Sequence, residues 1–353
     1  METTSTLTEE QPTEQFAQKA HVAVAKRSTT YVLLTVIVVI VLTSVVALVM
    51  CYQALEAEAY SRFIGIMNVS SEKVAKTIRG AELSAKNIFD EVGHHLDSPE
   101  DVITALESKA NLNLDVRGYF AAFEPEFFPE KGTWFEPYVF QGDGLAFEMR
   151  QVGSARHNYM KSPWYVRAKM KGETFWSDPY YYYDGTTMSG HYCTFVKPIY
   201  GQNGKLVCVC GADMKFEWLA KELQWVDEMS QKSQLMNKHH LIRDFGFYTI
   251  ILDKNGTCLA YPEGKDITVT DKEVLNDLAR QKSGIANIDI NGEPCTLYYG
   301  PIEFIDWSVA VVVPRLDMLK PLLPAVAVLL VVAVIGIVVV WRVLRRATTA
   351  LES

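Results

Sequence analysis

YVLLTVIVVIVLTSVVALVMCY, Tyr31 to Tyr52, contains no charged residue, and neither does LLPAVAVLLVVAVIGIVVVW, Leu322 to Trp341. Each run reaches the ~20 apolar residues with which a helix crosses a bilayer. The chain has 353 residues, 49% hydrophobic and 22% charged, values of an ordinary globular protein that conceal this segregation. A wholly soluble protein is excluded. Span one starts too late for a secretory leader, and Cys51-Tyr52-Gln53 offers no A-x-A-like cleavage site, so it reads as a retained anchor.

Orientation follows from the basic flanks. Lys26 and Arg27 precede the first span, Arg342, Arg345 and Arg346 follow the second, and short flanks rich in Lys/Arg stay cytoplasmic. Both termini are expected inside an inner (plasma) membrane, with residues 53–319 extracytoplasmic. The dozen or so residues after span two are too few for a catalytic domain, so a cytoplasmic output domain or partner outside this sequence is expected. A net charge of −8 without a basic stripe argues against nucleic acid, whose phosphates demand a positive surface. Of the cysteines, Cys51 falls in span one, and Cys193, Cys208, Cys210, Cys258 and Cys295 are external. Five is odd, and Val-rich surroundings such as Leu206 to Cys210 read as core.

After Gln53, apolar or small residues recur at Phe63, Met67, Ser70, Val74, Ile78, Ala81, Ala85, Ile88 and Val92, in steps of three and four. This predicts one helix continuing span one. A homodimeric coiled coil would produce such a stripe, and so would packing on the chain's own sheets. Ser98-Pro99 opens a second helix, Ser98 as its cap. β-Rich runs follow at Arg117–Phe123, Trp134–Phe140, Leu145–Arg150, Tyr192–Pro198 and Leu206–Cys210. After a helix near Phe216–Leu241 comes a second β group, Tyr248–Leu252, Thr257–Tyr261, Ile285–Ile290, Cys295–Tyr299 and Trp307–Val313. A helix over Asp271–Gln281 separates its hairpins, and Asn203-Gly204, Asn255-Gly256 and Asn291-Gly292 are turn signals.

The fold class is therefore α+β: a long N-terminal helix with two antiparallel-sheet modules between two transmembrane helices. The expected divisions are a polar, Thr-rich cytoplasmic tail, 1–30, disordered over its first 15 or so residues, span one, 31–52, a long helix, 53–97, a first module, 98–213, a second, 214–319, span two, 320–341, and a cytoplasmic stub, 342–353.

Ser162-Pro163-Trp164-Tyr165, Gly172, Trp176-Ser177-Asp178-Pro179-Tyr180, Tyr182-Tyr183-Asp184, Thr194-Phe195, Pro198-Ile199-Tyr200 and Gly211-Ala212-Asp213 form a constellation that resembles the double Cache sensor domains of bacterial receptors. The resemblance covers about Gln53 to Leu319. It implies two PAS-like modules, the membrane-distal one holding a small ligand, upstream of chemoreceptor, kinase, cyclase or phosphatase domains. No cofactor is expected, and no catalysis, any catalytic output domain being expected outside this sequence.

The richest chemistry lies in Trp164, Tyr165, Tyr180, Tyr182, Asp184 and Asp213. Aromatic faces attract cations, and a carboxylate adds a charge-assisted hydrogen bond. In amino-acid-binding relatives that this chain resembles, an Arg two residues before the Trp and a preceding Tyr hold the ligand carboxylate. Here those positions are Ser162 and His157. An ammonium clamp without a carboxylate clamp points to an amine or quaternary ammonium ligand, although Arg156, Lys161 and Arg167 could receive an anion, and a purine, amino acid or carboxylate is the alternative. The rival classes are a membrane-anchored enzyme, for which no H-E-x-x-H, G-x-S-x-G, G-x-G-x-x-G or P-loop is present, and an adhesion module. The adjacent pairs His94-His95 and His239-His240 diverge on a helix and predict no metal site. Asp253-Lys254-Asn255-Gly256 resembles the start of a calcium loop, but Gly264 takes the twelfth position, so it reads as a turn.

Overall fold

A computed structural model of the protein describes residues 11–142, 146–183, 189–236, 246–260 and 267–352. The chain divides into two compact bodies, one formed by Arg62–Lys238 with Gly246–Arg315, the other including the helical segments up to Ser61 and from Leu316.

The first element, α1, runs unbroken over Gln11–His94. It begins within the polar stretch expected to be disordered, and ends just short of residue 97. Every position of the stripe from Phe63 to Val92 is buried, none more than 4% exposed. Packing on the chain's own sheets therefore accounts for the whole stripe. Phe63 lies against Phe247 and Tyr298, ring centroids 5.5 and 5.3 Å away, and Phe89 stacks on Phe195 at 6.4 Å. Helix α2, Pro99–Ser108, follows, and the Ser98 hydroxyl accepts from the Asp101 amide as the expected N-cap.

The first sheet contains β1 (Gly118–Phe123), β2 (Pro137–Gln141) and β3 (Phe147–Gln151), then, after helix α3 (Pro163–Lys171), β4 (Phe175–Trp176), β5 (Tyr180–Tyr183), β6 (Ser189–Tyr200) and β7 (Leu206–Lys215). Its order is β3-β2-β1-β7-β6-β4, with β5 also paired to β6, all antiparallel. Sequence periodicity misses α3, β4 and β5, because these short elements have no repeat long enough to register. It also ends the β6–β7 hairpin too early, since both strands run several residues further toward Ser189 and Lys215.

The second sheet follows α4 (Phe216–Met236). It contains β8 (Tyr248–Leu252) and β9 (Cys258–Ala260), then, past α5 (Lys272–Ala279), β10 (Gly284–Ile290), β11 (Glu293–Pro301) and β12 (Ser308–Pro314), in the order β10-β11-β12-β8-β9. Its core of Ile250, Leu252, Leu297, Ala310 and Val312 is closed by Val274 and Leu278 of α5. Asn291 and Gly292 both take positive φ, 55° and 83°, as a two-residue hairpin turn requires. The Asp253 carboxylate accepts from the Asn255 and Thr257 amides, which makes 253–257 a turn. Helices α6 (Arg315–Leu319) and α7 (Leu322–Glu352) complete the chain. Leu145, His239, His240, Leu241, Tyr261 and Gly264 lie outside the described residues.

Both uncharged runs form helices long and apolar enough to cross a membrane, with mean hydropathy 3.2. Gly336 of α7 faces Ile40 of α1, whose methyl lies 3.5 Å from where a Cβ would stand. Cys193, Cys208, Cys210 and Cys295 are buried as small apolar groups.

Candidate functional site

On one face of the first sheet, strand periodicity brings Phe120 of β1, Tyr138 of β2 and Asp213 of β7 to the same side. Two glycines shape this floor. A Cβ at Gly211 would lie 2.1 Å from the Phe120 ring, and one at Gly118 would lie 2.7 Å from the Tyr138 ring. Without side chains there, both aromatics can lie across the neighbouring strand. Trp164 on the first turn of α3 covers Phe120, with ring centroids 4.9 Å apart. Phe175, Tyr180 and Tyr182 from the β4–β5 edge complete an aromatic wall. They enclose a cavity of about 570 Å³, within the usual range for small-molecule sites.

Asp213 is the central charge. Thr194, its cross-strand neighbour on β6, donates to Asp213 Oδ1 at 2.6 Å. Tyr180 Oη lies 2.7 Å from Thr194 Oγ1 and donates more weakly to Asp213 Oδ1 at 3.4 Å. Asp213 keeps partial exposure and lines the cavity, yet the protein around it is deep enough that burial pushes its carboxyl up to about 6. Hydrogen bonds from Thr194 and Tyr180 offset part of that rise. Tyr138 influences the Asp213 charge from nearby, but its buried hydroxyl has no well-formed hydrogen bond.

A second carboxylate lines the same space. Glu136, immediately before β2, is 4% exposed, and its Oε2 is buried without a hydrogen-bond partner. Burial first, and the Asp213 charge second, hold its carboxyl well above the usual range. Its nearest basic group is His157 Nε2 at 3.5 Å, and burial lowers the affinity of that imidazole for a proton. The His157 ring stands edge-on to Tyr182. Among the described lining residues Arg167 is the one permanent cation, and its guanidinium sits 3.8 Å over the Phe175 ring.

Four of the six residues picked out from the sequence, Trp164, Tyr180, Tyr182 and Asp213, line the cavity together. Tyr165 does not. Adjacent helical residues diverge by about 100°, so Tyr165 enters the core, where its hydroxyl donates to Glu124 Oε1 at 2.7 Å. Asp184 lies outside the described residues. Of the cations proposed to receive an anion, Arg167 reaches the cavity, and Arg156 and Lys161 are absent from its lining. Sequence reasoning missed Glu136, although a charge inside Trp134-Phe135-Glu136-Pro137-Tyr138-Val139-Phe140 was its signal. Phe120, Tyr138 and Phe175 gave none beyond β propensity.

Residues 102–221 match the family model described as the first PDC sensor domain of methyl-accepting chemotaxis protein-like receptors. No curated protein matches the chain by sequence. The periplasmic sensory domain of the Campylobacter jejuni chemoreceptor Tlp1 superposes with TM-score 0.60 at 15% identity, covering 76% of this chain and 99% of that one. The extracellular domain of a protein described as a histidine kinase gives 0.56 at 17% identity, covering 74% and 99%. The ligand-binding domain of Mlp24, solved with asparagine, gives 0.52 at 16%, covering 76% and 98%. Family model and fold agree with the resemblance carried by residues 162–213. The chain has the double Cache fold, residues 102–221 match a sensor-domain model, and helices long and apolar enough to cross a membrane stand on either side in the sequence.

The Thr194 contact is directly testable. Thr194→Val keeps the shape and removes a charge-assisted bond, so the Asp213 titration midpoint should rise by about one pH unit. Carboxyl-resolved NMR or infrared titration reads it; an unmoved midpoint would show that the bond does not hold the charge.

Proposed function

We propose that the chain is the sensing region of a two-span receptor that binds an amine in its first module. Residues 98–213 form the membrane-distal module, 214–319 the proximal one, and both termini are cytoplasmic. The observation that carries the ligand class is Asp213: a carboxylate with no cationic partner among the described residues, on the wall of an aromatic cavity, held by hydroxyls. Such a group lacks a counter-charge of its own. A ligand ammonium supplies it, and the faces of Trp164, Tyr180 and Tyr182 add about 0.5 to 2 kcal/mol per cation contact.

An α-amino acid is the second reading, supported by Arg167 at the same cavity and by the asparagine named in the Mlp24 structure. It is less favoured. Arg167 is exposed and occupied with Phe175, and Ser162 and His157 stand where the carboxylate clamp of amino-acid binders is expected.

Calorimetry on the detergent-solubilised full chain with a panel of amines and amino acids decides between them. Asp213→Asn should weaken amine binding at least about tenfold, and Arg167→Ala should change it little; the reverse order would establish the anion reading. Binding also requires ionised Asp213. With its midpoint near 6, affinity should fall about tenfold from pH 7 to pH 5, while the ligand amine stays charged throughout. This loss is separable from unfolding. A buried acid raised above its unfolded value favours the folded state as pH falls from about 6 toward 4, so Asp213 makes the empty protein more stable where its binding is weaker.

The topology has its own check. Single cysteines placed at Gly201 and Ser353, in a chain whose native cysteines are replaced, should react with an impermeant maleimide from opposite sides of sealed vesicles. Reaction from one side at both positions would remove the receptor reading.

A further inference from the structure

Glu136 has no role in holding a single ammonium on Asp213. Its side chain is almost wholly buried, lines the cavity, and leaves Oε2 without a hydrogen-bond partner. Among the described residues no Lys or Arg pairs with it, and His157 Nε2 at 3.5 Å is its one basic neighbour. A buried acceptor left unmet costs about 1–3 kcal/mol, more if charged. Among the described residues the His157 ring is the one group that approaches Oε2, at 3.5 Å without forming a hydrogen bond, and its burial disfavours the proton that would make the contact an ion pair.

We propose that the cavity takes a ligand with two basic nitrogens, an α,ω-diamine, with one ammonium on Asp213 and the second on Glu136. This rests on the amine reading of Asp213 and extends it.

Strand register places the two acids on one face of the sheet. Tyr138 faces Phe120, which faces Gly211, so Glu136 and Asp213 are two strands and about four residues apart. Strand spacing and rise put about 16 Å between their Cα positions. Both side chains line the same cavity and the Asp213 charge is felt at Glu136, so the span to be bridged is on the order of a four- to six-carbon chain. Phe120 and Tyr138 occupy the floor between them, apolar surface suited to methylene groups. The two sites reinforce each other. Burial and the Asp213 charge both raise the Glu136 carboxyl, and an ammonium on Asp213 removes the second of these influences.

The test compares butylamine with 1,4-diaminobutane and 1,5-diaminopentane on the full chain in detergent, by calorimetry at pH 7. In the wild type the better diamine should bind at least about tenfold more tightly than butylamine. Glu136→Gln should reduce that ratio to near one, while Asp213→Asn should weaken both classes. Equal wild-type affinities for butylamine and the diamines would overturn the inference and leave the amine reading standing, and so would a ratio that survives Glu136→Gln. Absence of binding by all three amines would overturn both. The wild-type ratio needs no variant to fold.

Discussion

The fold depends on the burial of one face of α1. From Phe63 to Val92 the helix presents an apolar or small residue every third or fourth position, and all of them are buried within the chain. Two antiparallel sheets thereby share a single backbone support. Phe63 and Met67 belong to the second sheet's surroundings, where Ser71 also donates to the Pro301 carbonyl at 2.8 Å, and Phe89 belongs to the first. Trp176 adds a polar tie, its indole donating to Glu82 Oε1 at 2.9 Å. Because small residues at Ser70, Ala81 and Ala85 occupy this seam, the helix can lie close to its sheets. The same residues would make a poor knobs-into-holes dimer interface.

With one face of the first sheet oriented by α1, the other is left to α3 and the β4–β5 edge, and there the site forms. Its aromatic floor follows from missing side chains at Gly118 and Gly211 as much as from the rings themselves. Enclosure then decides the electrostatics. Asp213 and Glu136 lose solvent without gaining a Lys or Arg partner among the described residues, and burial holds both above ordinary carboxylate values. Burial raises an acid beside the second sheet as well, to about 6. This acid, Asp227 of α4, accepts from both the amide and the hydroxyl of Thr249, a closed pairing that joins helix to strand.

Much of this was legible in the sequence, for physical reasons. Long uncharged runs can be read by length alone, the α1 stripe by period, and hairpins such as 291–292 by the φ > 0 their turn requires. The aromatic cluster and Asp213 were visible as types, and the resemblance to double Cache domains ordered them. What could not be read was direction. Trp164 and Tyr165 are neighbours of like character, yet one faces the cavity and the other the core, because the phase of a nine-residue helix such as α3 is fixed by packing and not by its own pattern. Glu136 was overlooked because a single charge in a strand ordinarily marks an edge facing water. Only the return of the chain past it at Gly153 and His157 turns it into a buried acceptor.

The central claim is that an amine is held in the first-sheet cavity between α3 and Asp213. Photolysis of the full chain with a diazirine-bearing alkylamine, followed by mapping of the adducts by mass spectrometry, tests it most directly. The account predicts labelling within residues 160–182 and around residue 213, suppressed by excess unlabelled amine and absent in Asp213→Asn. Competable labelling confined to residues 246–315 would contradict it.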